Sequence, residues 1–289
     1  MGKKKRKFSC AGLKLKDVMI NLRHMASQEG GKFRTIDISN VRDEDATVPE
    51  DFYHCLSAMA SVRDVTVIGL AHAEGDKILS SLGANRRLTS LWMTGVVPIS
   101  QACLQMLSPN VLQLTVPLST ELTFERFHSV QSLTLYLEDE LELTSRSSAS
   151  MPRVEYLRVD NGHLTSSFLK ALGRNCRLRT LELQTTDVSR CDTLLTDLSD
   201  IINLRRLVLA DLPAQIGANE LKRLIGLKAL HLSGVTDIDR LEMLGDLSSL
   251  RTLSISLENE IEDSRKFKQL VRGLRSKLPQ CNVVCSWFI

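Results

Sequence analysis

A six-residue phrase, apolar at its first, fourth and sixth positions, recurs along the chain and constrains the fold more than any other feature. Its clearest copy is Leu227-Lys228-Ala229-Leu230-His231-Leu232, flanked by Leu204-Arg205-Arg206-Leu207-Val208-Leu209 and Leu250-Arg251-Thr252-Leu253-Ser254-Ile255. The copies stand about 23 residues apart, a period of stacked supersecondary units. Alternation around positions four and six marks a strand with one buried face, and a unit this short cannot bury that face alone. Neighbouring units must therefore stack.

Further copies open at Phe33, Val62, Leu88, Val111, Val130, Val154 and Leu178. With a weak first copy at Cys10-Ala11-Gly12-Leu13-Lys14-Leu15, they make about eleven units at spacings of roughly 19 to 29 residues. In the first half β-branched residues replace leucine, as in Phe33-Arg34-Thr35-Ile36-Asp37-Ile38, and the strand pattern survives because alternation defines the buried face. Between phrases the spacing is helical, at Asp17 to Gln28, Phe52 to Met59 and Leu164 to Leu172. Thr144 to Pro152, with four serines, is too polar for a helix and is predicted to be a loop. Near the end, Phe267, Leu270, Val271, Leu274 and Leu278 predict an amphipathic helix over 262–278 that Pro279 stops, with Cys281 to Ile289 as a last strand.

These units resemble the leucine-rich repeat superfamily from about residue 10 onward. The stretch Leu230-His231-Leu232-Ser233-Gly234-Val235-Thr236-Asp237-Ile238 is similar to the short repeats of bacterial internalins and of eukaryotic phosphatase-regulating repeat proteins. The helical intervals are more similar to ribonuclease inhibitor. The resemblance implies an α/β leucine-rich repeat solenoid, with a curved parallel β-sheet on the concave face and helices and turns on the convex face, and it implies protein recognition without catalysis. One departure stands out. Position nine, usually Asn, is Val41, Val96, Leu212 or Val235, while Asn40 and Asn161 come one place early.

Composition agrees with a stacked core. Hydrophobic residues are 43% of the chain and aromatics only 4%, so the core is built of Leu, Val and Ile. The organisation expected is a disordered basic tail over 1–8 and one repeat domain over 9–289, capped at about 9–32 and 262–289. Lys3, Lys4, Lys5, Arg6 and Lys7 carry more than the whole net charge of +3, which leaves the body slightly acidic, without the global basic field of a nucleic-acid binder. That run has the character of a nuclear import signal, the alternative being a polyanion-binding tail. No apolar run suits a signal peptide or a membrane span, and the seven cysteines are scattered, which suggests a reducing intracellular compartment. The location expected is the nucleus, with the cytoplasm as alternative.

Positions three, five and seven of each phrase face away from the buried leucines. Most carry hydroxyls, such as Thr35, Thr66, Thr115, Thr134, Thr180 and Ser254. Larger groups stand among them at Trp92, Tyr136, Tyr156 and Arg158, beside Asp160 and Glu182. Trp, Tyr and Arg dominate interface hot spots, so these six residues are the candidate partner site. Position two carries a second pattern, Arg34, Arg63, Arg179, Arg205, Lys228 and Arg251, which stacking would align as a basic rim able to meet an acidic protein or RNA. Acids such as Glu74, Asp160 and Asp211 follow the strands and predict an acidic rim opposite.

Chemistry is absent from the pattern. The histidines are dispersed, Cys281 and Cys285 have no second ligand pair, and no phosphate loop, nucleophile elbow or carboxylate pair is present, so no catalytic residue, metal, cofactor or small-molecule substrate is expected. Val48 to Leu56 resembles an F-box opening but falls where a repeat helix is required. The basic outer surface of the 262–278 helix would suit a calmodulin or membrane-surface target, yet its apolar face is needed to close the core. The function expected is a non-enzymatic scaffold or adaptor binding a protein on the concave face. The alternatives are a ribonucleoprotein component contacting RNA through the tail and rim, and a regulatory subunit of a phosphatase or small GTPase.

Overall fold

The computed structural model describes residues 6–27, 33–42, 47–119, 129–149, 151–174, 177–186, 197–198, 200–211, 224–235, 239–257 and 264–287. The chain divides into two compact units, Met1–Leu141 and Glu142–Ile289.

The first unit contains strands β1 (Arg6–Ser9), β2 (Phe33–Ile38), β3 (Asp64–Ile68), β4 (Ser90–Thr94), β5 (Gln113–Leu118) and β6 (Ser132–Leu137), parallel and paired in chain order. The register places phrase position four in one line, from Phe8 through Ile36, Val65, Leu91 and Leu114 to Leu133. From Ile36 onward every member of that line is buried. Opposing it are the apolar faces of α1 (Leu15–Ser27), α2 (Glu50–Ser57) and α3 (Gly75–Leu82), which bury Val18, Leu22 and Met25, then Phe52 and Leu56, then Ile78, Leu79 and Leu82. Within each helix they fall three or four residues apart, except for the adjacent pair Ile78 and Leu79, so each set makes one helix face. A short helix, α4 (Gln101–Leu104), follows β4.

The second unit repeats the plan with β8 (Tyr156–Asp160), β10 (Thr180–Gln184), β11 (Arg206–Ala210), β12 (Ala229–Val235), β13 (Thr252–Leu257) and β14 (Asn282–Trp287), again parallel. Its position-four line is Leu157, Leu181, Leu207, Leu230, Leu253 and Val283, all buried. Two short strands, β7 (Glu142–Leu143) and β9 (His163–Leu164), pair separately. The helices are α5 (Ser145–Ala149), α6 (Ser166–Gly173) and α7 (Ser264–Lys277), with a 3-10 helix at Asp239–Asp246. Thr165 caps α6 by accepting a hydrogen bond from Phe168 N at 3.2 Å.

Two expectations are corrected. Residues 6–8, placed by the sequence in a disordered tail, belong to β1, so the first strand is Arg6–Ser9 and does not lie within Cys10 to Leu15. Apolar atoms at Phe8 hold it there. Its ring meets Phe33 edge-on at 5.9 Å, and Lys7 pairs with Asp37 at 3.2 Å. The remainder of the expected tail, 1–5, lies outside the described residues. The serine-rich stretch, predicted to be a loop, forms helix α5, because Thr144 Oγ1 accepts from Arg146 N at 3.3 Å and Leu143 and Met151 are buried at either side.

The missing asparagines of position nine also find their explanation. The residue at position eight adopts a left-handed backbone in Gly12, Asn40, Gly69 and Gly95 of the first unit and in Asn161, Thr185, Asp211 and Gly234 of the second, with φ between 47° and 75°. Its N–H donates across to the next repeat, as in Gly69 N to Thr94 O and Thr185 N to Ala210 O, both at 3.0 Å. Asparagine is one of the few residues with a side chain that tolerates this conformation, which explains its early placement. Backbone groups thus supply the ladder, and position nine is left to apolar residues such as the buried Val41.

Candidate interaction surfaces

The face of the sheet away from the helices is open in both units. In the first, the register sets Trp92 between Thr66 and Thr115, and its side chain is 48% exposed. Tyr136 lies two strands along, opposite Pro117, and is half-buried. Alternation dictates both orientations, since Leu91 and Met93 on either side of Trp92 are buried in the core.

In the second unit Tyr156, Arg158, Asp160 and Glu182 are brought together. Parallel pairing puts Arg158 opposite Glu182 and Asp160 opposite Gln184. The guanidinium of Arg158 turns along its own strand. Nε donates to Asp160 Oδ1 at 3.1 Å, and Nη2 donates to Asp160 Oδ2 at 3.0 Å and to Gln184 Oε1 at 2.6 Å. Tyr156 donates its hydroxyl to Glu182 Oε2 at 2.9 Å, and Arg206 Nε stands 3.5 Å from Glu182 Oε1. Burial, then the hydrogen bond to Glu182, pushes the Tyr156 phenol up to about 12. Beside this network the short side chains Val208 and Ala210 leave a depression. It forms a cleft of about 550 Å³, walled by Arg158, Glu182 and Gln184 on one side and by Asp211, His231 and Ser233 on the other.

Gln184, Arg206 and His231 were missed by sequence reasoning. The signal was present in the phrase positions, which put Gln184 in the column of Asp160 and His231 in that of Arg158, but only the observed register says which columns face each other.

The leading edge, where the chain enters each strand, carries the position-two residues. In the first unit Arg34 and Arg63 are linked through Arg63 N to Arg34 O at 2.8 Å, Arg34 also approaches Asp64 at 3.7 Å, and the column continues through Thr89 and Leu112. In the second unit the same backbone bond, 2.8 Å each time, joins Arg179 to Arg205, Arg205 to Lys228 and Lys228 to Arg251. All four side chains are exposed. Opposite, the acids do not form one column. Glu74 pairs with Lys77 at 2.9 Å, Asp160 is tied to Arg158, and Asp211 occupies a left-handed turn. Of the proposed import signal, Arg6 and Lys7 lie in β1, while Lys3, Lys4 and Lys5 lie outside the described residues.

Among the described residues no group of three or more His, Cys, Asp or Glu side chains could hold a metal ion, and no helix is long and apolar enough to cross a membrane. No protein-family model and no curated protein matches the chain. Solved structures do. TLR13 in its complex with ssRNA13 is similar with a TM-score of 0.55 and 15% identity, over 89% of this chain and 36% of that one. The plant peptide hormone receptor RGFR1 in complex with RGF2 is similar with a TM-score of 0.51 and 13% identity, over 99% of this chain and 50% of that one. An internalin of Listeria monocytogenes is similar with a TM-score of 0.48 and 14% identity, over 94% of this chain and 90% of that one. The chain spans about a third of the TLR13 chain and half of the RGFR1 chain. Its fold is that of the leucine-rich repeat proteins.

Proposed function

We propose that this protein is a non-enzymatic interaction scaffold or adaptor, acting in the nucleus, that holds a protein partner on the open face of its repeat sheet. The observation that carries the reading is Trp92, a large apolar ring half exposed among short hydroxyl side chains. A ring placed so costs solvation in the free protein and repays it when a partner covers it. The polar network around Arg158 adds a preset surface, because guanidinium, phenol and carboxylates are already fixed by one another and lose little freedom on binding. Delivery to the nucleus rests on the Lys3 to Lys7 run.

The test is affinity purification of the full chain from native extract, split with and without nuclease. A discrete protein that co-purifies in both halves supports the reading. Recovery abolished by nuclease points to RNA and contradicts it. Fusing residues 1–10 to a reporter checks the location, and a wholly cytoplasmic reporter defeats the nuclear assignment.

A further inference from the structure

The leading edge of the second unit has three properties that together specify a ligand. Its four stacked cations, Arg179, Arg205, Lys228 and Arg251, meet no carboxylate at ion-pair distance among the described residues, whereas in the first unit's column Arg34 approaches Asp64 and only Arg63 is without such a pair. Strands pair ~4.8 Å apart, so four like charges occupy roughly 14 Å of edge, an arrangement that is unfavourable until anions arrive. Second, Arg205 is held in place. Its Nη1 donates to Gly226 O at 3.2 Å and to Leu204 O at 3.3 Å, and a Cβ on Gly226 would meet that nitrogen at 2.5 Å. Gly226 thus leaves room for the guanidinium to lie across the neighbouring repeat, where Arg177, Arg179, Asn203 and Glu155 join it around a cleft of about 350 Å³.

The third property is apolar. Ile202 and Ile225 occupy equivalent turns, each three residues ahead of its rim cation, and are 73% and 79% exposed. Single exposed aliphatics are ordinary, but two of the most exposed among the described residues fall on adjacent repeats beside these cations.

We propose that this edge binds an acidic linear segment of another protein in which glutamate or aspartate residues are interspersed with aliphatic ones. The acids neutralise the Arg179 to Arg251 column and the aliphatic side chains cover Ile202 and Ile225. A column one side chain wide suits a linear segment better than a flat surface. RNA is the weaker occupant. Its phosphates would meet the cations, but the edge offers no aromatic platform for bases among its described residues, and the isoleucines would stay wet. The surface is distinct from the open face, so either assignment can fail without the other.

Fluorescence anisotropy with the full chain tests it, using three labelled probes: a peptide of glutamates interspersed with leucines, an oligo-glutamate of equal charge, and a uridine oligoribonucleotide. The mixed peptide should bind tightest and weaken with ionic strength. Arg205→Glu with Lys228→Glu should weaken it by about tenfold or more. Ile202→Ser with Ile225→Ser, at exposed sites that leave thermal melting unchanged, should reduce its affinity to that of oligo-glutamate. Equal binding of both peptides by the native chain, tighter binding of the RNA, or no binding of the mixed peptide would overturn the proposal.

Discussion

At the scale of single residues, buried polar groups are where the repeat pattern is under most constraint. Asn85, 3% exposed, donates to Val62 O at 2.7 Å and to Met59 O at 3.3 Å and accepts from Arg87 N at 2.9 Å. Asn85→Leu strands those backbone groups and should lower stability by about 1–3 kcal/mol in denaturant unfolding. Tyr156 offers a pH test. Its folded pKa, about 12, exceeds the ordinary value of 10.0, so the protonated phenol contributes stability that is present below pH 10 and lost as pH rises toward 12. Tyr156→Phe should flatten the stability curve in that window relative to the native chain, and equal slopes would contradict a phenol raised by burial and by its bond to Glu182. The sequence makes Tyr156, Arg158, Asp160 and Glu182 conspicuous, yet hides that Arg158 spends its guanidinium on Asp160 and Gln184. Contacts between strands depend on register, which alternation alone leaves free.

At the scale of elements, most of the architecture is legible because each phrase repeats its alternation and each convex helix its three-to-four spacing. Errors arise where charge or hydroxyls mask a weak pattern. β1 is hidden because Lys5 to Lys7 reads as a solvated run, with Phe8 the one large apolar residue beside it. Helix α5 is hidden because its serines have low helix propensity and the Thr144 hydroxyl that accepts from Arg146 N shows only in the structure. Glycines also carry information that composition cannot. Gly75 opens α3, and a Cβ there would stand 2.5 Å from Val97 O and 2.8 Å from Ile99 Cγ1. Gly75→Ala, ordinarily neutral or favourable at a helix start, should instead destabilise by about 1–3 kcal/mol, read as a lower melting temperature. Helix α7 packs on the 3-10 helix and on β14 with Phe267, Leu270 and Leu274 buried. Phe267→Asp places a charge in that interface, and amide exchange in β13 and β14 should accelerate. Unchanged protection there would show that α7 does not close the core.

At the scale of the whole molecule, repetition separates what holds the fold from what distinguishes one repeat from another. The leucines of positions one, four and six are interchangeable between units and say nothing about a partner. Left-handed residues at position eight are similarly uniform, although Thr185 and Asp211 disguise the column that Gly69, Gly95 and Asn161 announce. Individuality lies in Trp92, in the Arg158 network and in the leading-edge cations that meet no carboxylate among the described residues. Of these, Trp92 bears most directly on whether the open face is where a protein partner binds. The decisive measurement is the dissociation constant of the co-purified partner for the native chain and for Trp92→Ala, with melting temperatures matched. A loss of about tenfold or more, some 1.4 kcal/mol, is predicted. Undiminished affinity in a variant that melts normally would contradict the account.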